Sequence, residues 1–174
     1  MEHLMLDLET LGTEQDCPVL SIGAVKFDPR TGLLGDRFYS VLPLQEQFDI
    51  GRRMSASTFR WWMKQENDAR YAIAKDDDPN SSVSEVIHDF RKYFKGATYI
   101  WSNGAGFDVP IIEDMMRQYK VTIPWKYYNI RDTRTAGHLA GVRLAKQGVA
   151  HNALDDAISQ ANWIHQCYQK LGRV

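Results

Sequence analysis

The run Leu4-Met5-Leu6-Asp7-Leu8-Glu9 places two acids, one residue apart, in an otherwise apolar segment. Successive side chains of a strand point to opposite faces, so Leu4, Leu6 and Leu8 share one face while Asp7 and Glu9 share the other. Same-face neighbours on a strand stand roughly 6.5–7 Å apart, so two carboxylates at that spacing can reach one cation, or a close pair of cations, between them. An edge strand with a solvated acidic face fits the same letters equally well, and D-x-E alone is short and common. The rest of the chain has to decide.

With 174 residues, 44% of them hydrophobic and 25% charged, the chain reads as one globular domain spanning 1–174. No basic leader precedes an apolar stretch, and no apolar run is long enough to cross a bilayer. Cys17 and Cys167 lie far apart without a C-x-x-C pattern, which points to free thiols and a cytoplasmic location. The net charge of −1 argues against nonspecific coating of duplex DNA. A nucleic-acid partner would have to be met at a local site, with metal ions supplying positive charge.

Strand and helix signals alternate along the chain. "VLSIGAVKF" (Val19 to Phe27) and "LLGDRFYSVL" (Leu33 to Leu42) flank the turn "DPRTG" and read as a hairpin. Ser55 to Glu66 reads as a helix with Phe59, Trp62 and Met63 on one side, and Ser81 to Lys95 as a strongly amphipathic one. The acidic stretch "KDDDPNSS" reads as a loop. Thr98 to Trp101 and Lys126 to Arg131 read as strands, Asp108 to Tyr119 and Ala153 to Leu171 as helices. A hairpin followed by βα units predicts an α/β fold, a mixed sheet flanked by helices.

Two later segments bear on Asp7 and Glu9. "WSNGAGFDVPII" puts Asp108 where a short strand gives way to a helix, and "HNALDDA" puts His151 just before the final helix with acids at 155 and 156. Active sites of α/β sheets gather at such strand ends and helix starts. Asp108 could equally cap its helix. If Asn152 is the cap of the last helix, Asp155 falls at the third helical position, where it can reach back to the cap. Periodicity does not choose between Asp155 and Asp156.

"DLET", then "NGAGFD", then His151-x4-Asp156, in that order, resemble the three motifs of the DEDD superfamily of 3′→5′ exonucleases in its His variant (DEDDh, DnaQ-like). Within it the chain resembles the ribonuclease T-like exoribonucleases and related phage exonucleases, a likeness that "STFRWWMKQ" and "SIGAVKFD" extend over Met5 to about Trp163. The resemblance implies a ribonuclease H-like mixed five-stranded sheet with helices on both faces. It implies that Asp7, Glu9, Asp108 and Asp156 hold two Mg²⁺ or Mn²⁺ ions, with His151 as general base. The spacing of the family's third motif selects Asp156 over Asp155. Position 152 holds Asn, which excludes the Tyr variant of the superfamily.

The chemistry calls for these residue types. Attack of water on a phosphodiester is shielded by negative oxygens, and two cations about 3.5–4 Å apart lower that barrier. Hard cations take oxygen ligands, hence carboxylates and no thiols, and imidazole titrates near neutrality, as a base requires. By the same resemblance, Thr10 and the backbone beside it meet the terminal 3′-hydroxyl and Leu11 packs on the last base. Asn103 touches a phosphate or bonds its own turn. One of Trp61 and Trp62 belongs to the core; the other packs in the core or an interface, or stacks on a base. Arg52, Arg53, Arg60 and Lys64 form a solvated face. The expected partner is a single-stranded 3′ end, RNA slightly ahead of DNA, with a homodimer as the expected assembly. The alternatives are an exodeoxyribonuclease and a catalytically idle single-strand-binding module.

Overall fold

A computed structural model of the chain describes residues 1–73, 81–145 and 151–172. Five strands, β1 (His3–Thr10), β2 (Val19–Phe27), β3 (Leu34–Val41), β4 (Tyr99–Ser102) and β5 (Ile130–Asp132), form one sheet in the order β3-β2-β1-β4-β5. β1 is antiparallel to β2 and parallel to β4, and β5 is parallel to β4, so the sheet is mixed as expected. The acidic strand is therefore the central one. An edge strand with a solvated face is excluded.

Both faces of β1 are covered. Leu4, Leu6 and Leu8 pack with Ile87 and Phe90 of helix α4 (Val83–Tyr93) and Ile112 and Met115 of helix α5 (Asp108–Gln118). On the opposite face Met5 joins Val25, Phe27 and Trp101 beneath Ala157, Ala161 and Ile164 of helix α7 (Ala153–Lys170). Each such side chain contributes about 1.5–3 kcal/mol on burial, so the sheet is held from two sides. Asp7 and Glu9 share the α7 face with Met5; Glu9 is buried there and Asp7 half-buried.

The helix ends follow local chemistry. Ser82 and Glu85 form a capping box at the start of α4, and the Asn152 side chain accepts from the N–H groups of Leu154 and Asp155 at the start of α7. Shorter helices α1 (Leu44–Asp49), α2 (Ala56–Trp62), α3 (Asn67–Ile73) and α6 (Thr133–Ala140) complete the described chain. Of these the sequence reading anticipated α2 alone. α6 carried a readable signature, Asp132 as N-cap and Gly141 in the left-handed conformation at its end. The strand expected over Lys126 to Arg131 is a 3-10 turn at Tyr127–Asn129 followed by the three residues of β5. Tyr127 and Tyr128 are exposed there, so β-propensity had no packing surface to act through. Of the loop expected over 75–82, residues 75–80 lie outside the described residues. Cys17 and Cys167 are free and buried.

Gly23 on β2 pairs with Asp7 and brings α7 down onto the sheet. A Cβ at Gly23 would lie 2.1 Å from the carbonyl carbon of Ala153 and 2.2 Å from the nitrogen of Leu154, both backbone atoms with no room to yield. Gly23→Ala is expected to destabilise the protein by about 1–3 kcal/mol, the usual cost of overpacking a closed interface. Equilibrium denaturation measures this; a variant as stable as the parent would mean that α7 is not seated on β2 in this way.

Candidate active site

The candidate residues come from four places in the chain and meet at one end of the sheet. Asp7 and Glu9 project from β1, Asp108 is the first residue of α5, and Asp156 lies in the first turn of α7, one residue after Asp155. Ligand atoms of Glu9, His151 and Asp156 lie within 4.8 Å of one another. Asp108 accepts the Leu8 N–H at 3.2 Å, which ties the start of α5 to the middle of β1. Gln160 donates to Asp7 Oδ1 at 2.7 Å. Gln160 was not singled out from the sequence, although it stands four residues after Asp156 on the same helix face. Asp156 is buried within the group, whereas Asp155 has intermediate exposure.

Burial raises the proton affinity of Asp7 and Asp108. Burial, then the charges of Asp108 and Glu9 and, more weakly, Asp156, hold Asp7 well above the usual carboxylate range; the Gln160 hydrogen bond opposes this. Burial pushes Asp108 up to about 7, against the stabilising pull of Ser102 and the Leu8 N–H. The contacts of Glu9 with Asp156 and His151, of Asp108 with the Leu8 N–H and of Gln160 with Asp7 bring the four acids to the same end of the sheet. A cluster of carboxylates with an imidazole beside it suits a hard divalent cation, which would replace mutual repulsion by attraction. The residues present fit such an ion.

His151 has a left-handed backbone (φ 63°) immediately before the Asn152 cap. Among non-glycine residues His is one of those that reach this region with least strain, and such positions cluster at functional sites. Its ring meets Trp61 edge-on, centroids 4.8 Å apart, with Trp62 at 6.1 Å. The two tryptophans divide the roles left open by the sequence. Trp62 is buried and its indole N–H donates to Thr10 O at 2.9 Å; Trp61 is 42% exposed.

A cavity of about 460 Å³ opens beside these residues, lined by Leu8, Glu9, Thr10, Gly12, Thr13, Ser57, Thr58, Trp61, Trp62 and Phe107. Thr10 is thus on its wall, with its hydroxyl donating to Gly12 O. Leu11 is not. It is buried with Leu20, Trp62 and Ala69, because its backbone bonds to Pro18 O and Ser55 N turn the side chain into that cluster. Phe59 and Met63, expected beside Trp62 in the core, are exposed because α2 is short and buries Trp62 alone. Asn103 is tied neither to its own turn nor to the cavity wall: its Oδ1 accepts from the Thr133 hydroxyl and from Arg134 Nε at the start of α6. Arg52 is not on a solvated face; it is buried, donating to Cys17 O and Gln15 O and paired with Asp114 at 2.9 Å. A larger cleft of about 690 Å³ lies at the start of β1, around Met1, His3, Arg30 and Arg131, and contains none of the four acids. The smaller cavity is the one joined to the chemistry.

The profile of a 3′-5′ exoribonuclease Rv2179c-like domain matches residues 2–168. The exodeoxyribonuclease of Enterobacteria phage T4 is 27% identical, over 78% of this chain and 70% of the relative. Among solved structures, exonuclease I of E. coli in complex with a dA16 oligonucleotide superposes with a TM-score of 0.69 at 13% identity, over 98% of this chain. The present chain spans 41% of that protein. The nuclease domain of 3′hExo, a DEDDh family member bound to rAMP, superposes with a TM-score of 0.59 at 14% identity, over 98% of this chain and 92% of the other. These likenesses establish the ribonuclease H-like exonuclease fold.

The raised acids make a pH prediction for the metal-free protein. Where the folded state holds protons that the unfolded state has released, stability is full below the unfolded carboxylate range and is lost as pH rises through the folded value, about 7 for Asp108. The melting temperature is expected to fall between about pH 5 and about pH 8, and to fall less in Asp108→Asn. Scanning calorimetry in chelator checks this; equal slopes in the two proteins would remove Asp108 as the cause.

Proposed function

The chain belongs to the Rv2179c-like 3′-5′ exoribonuclease domain family, and on that premise we propose that it is a metal-dependent exonuclease releasing nucleoside 5′-monophosphates from single-stranded 3′ ends. One observation carries the reading: four acids from β1, α5 and α7, with His151, meet beside an aromatic-walled cavity at a strand end. RNA is the favoured substrate, in keeping with the family's description, and DNA the alternative, in keeping with the phage relative. On the same reading the protein acts in the cytoplasm as a single domain over 1–174. No described helix is long and apolar enough to cross a membrane.

Asp7, Glu9, Asp108 and Asp156 are the residues that would hold two Mg²⁺ or Mn²⁺ ions, with Gln160 orienting Asp7. When bound, such ions supply Lewis-acid activation of water and neutralise charge developing on the phosphate. His151 accepts the proton of the attacking water as its oxygen bonds to phosphorus. The bond from phosphorus to the 3′-oxygen of the preceding nucleotide breaks, that oxygen is protonated to a new 3′-hydroxyl, and the terminal nucleotide leaves as its 5′-monophosphate. Thr10 faces the terminal sugar. Trp61 and Phe107 offer apolar faces to the base, and stacking of this kind accepts any sequence. With Leu11 buried, the apolar contact falls to those rings. Trp61 also fills the space behind the His151 ring and limits its rotation.

A time course on 5′-labelled single-stranded RNA, single-stranded DNA and duplexes with 3′ overhangs, with Mn²⁺, tests the reading. The expected result is a ladder shortening from the 3′ end, fastest on RNA. Internal cuts would indicate an endonuclease, and tight binding without hydrolysis an idle binding module.

Variants separate the roles. His151→Ala is expected to lower the single-turnover rate by roughly 10²–10⁴-fold, the usual contribution of a general base, while retaining Mn²⁺ binding. Asp7→Ala should be at least as damaging and should also weaken Mn²⁺ binding by calorimetry. A His151→Ala protein that no longer binds Mn²⁺ would make His151 a ligand, a role its closeness to Glu9 and Asp156 permits.

A further inference from the structure

The loop that delivers Asp108 is clamped to the start of α6, and a cation is part of the clamp. Asp132 Oδ2 accepts the Ala105 N–H at 2.8 Å, while its Oδ1 caps α6 through the Thr135 N–H and hydroxyl. Arg134 Nε donates to Asn103 Oδ1 at 3.2 Å, and its guanidinium carbon lies 3.5 Å from where a Cβ on Gly104 would stand. Gly104 is left-handed (φ 104°), so the guanidinium lies over a glycine backbone that no side chain shields.

Arg134 is exposed, and among the described residues no carboxylate lies within ion-pair distance of it. Only Nε is engaged; the two terminal nitrogens have no hydrogen-bond partner among the described residues. Its charge reaches Asp108, whose proton affinity it lowers. The α6 backbone itself has no vacant donor at Thr135, since Asp132 takes it. A planar guanidinium fixed at Nε and open at both other nitrogens matches the geometry of a phosphate diester. The terminal-nucleoside cavity lies over α2 and the end of β1, whereas Arg134 follows β5, on the other side of Asp108 in the sheet order.

We propose that Arg134 binds the first backbone phosphate on the 5′ side of the scissile one, holding the incoming strand across the acids with its terminal nucleoside in the α2 cavity. This rests on the exonuclease reading above. It makes Arg134 a determinant of substrate length: a strand has this phosphate, and a mononucleotide ester does not.

The test compares the parent, Arg134→Ala and Arg134→Lys with Mn²⁺ on three substrates. These are a single-stranded oligonucleotide, the same strand with one neutral methylphosphonate at the linkage 5′ of the scissile phosphate, and the p-nitrophenyl ester of thymidine 5′-monophosphate. Arg134→Ala is expected to raise KM for the charged strand by about tenfold, the scale of one charge-assisted contact, and to lower ester hydrolysis by a clearly smaller factor, since the ester loses only the Asn103 contact that steadies the Asp108 loop. Arg134→Lys should lie between. The methylphosphonate should weaken the parent and leave Arg134→Ala unaffected. If the neutral linkage weakens parent and variant equally, the contact is not made by Arg134. If ester hydrolysis falls by the same factor as strand hydrolysis, Arg134 acts through Asp108 instead, and the proposal is overturned. A parent that cleaves none of the three overturns the exonuclease reading itself and this inference with it.

Discussion

Burying carboxylates beside one another is the constraint around which this structure is arranged. Burial sets the largest part of the cost of charging Asp7, and the charges of Asp108, Glu9 and Asp156 add to it. Such a cluster persists in a fold only if the surrounding packing is strong enough to hold the acids together, or if cations relieve them. The central strand is locked between α4 and α5 on one face and α7 on the other, and the donor set is one that hard cations accept.

The segments that carry the acids are held by hydrogen bonds that have no catalytic content of their own. Leu8 N–H fixes Asp108, Gln160 fixes Asp7, and Trp62 fixes the backbone of Thr10 from beneath the cavity. Arg52 does the same farther out, satisfying Cys17 O and Gln15 O while paired with Asp114. The Arg52 side chain is fully buried whereas Asp114 is partly exposed, so the guanidinium depends on these acceptors in place of water. Arg52 is thus a strut of the loop that follows the acidic strand. Together these bonds join side chains from distant parts of the sequence to β1 and the loop that follows it.

Much of this was legible in the chain. The period of two in β1, the hairpin punctuation and the amphipathic pattern of α4 each arise from local rules, and each appears in the structure within a residue or two. Asn152 as a cap is likewise local chemistry. Periodicity did not distinguish Asp155 from Asp156; packing does, since α7 turns Asp156 toward Glu9 and leaves Asp155 at intermediate exposure. Leu11, Phe59 and Met63 went astray for the reason that burial depends on what lies opposite. Leu11 found Leu20 and Trp62, while Phe59 and Met63 found nothing.

The sequence by itself determined the element types of the long segments, the acid-bearing motifs and their order, because alternation, helical spacing and capping are properties of neighbouring residues. Only the tertiary structure decided that β1 is central, that Gly23 lets α7 close over Asp7, and that Arg134 stands beside the Asp108 loop. Those depend on which surfaces meet across the sheet, between residues as far apart as Asp7 and Gln160, and no local pattern encodes that meeting.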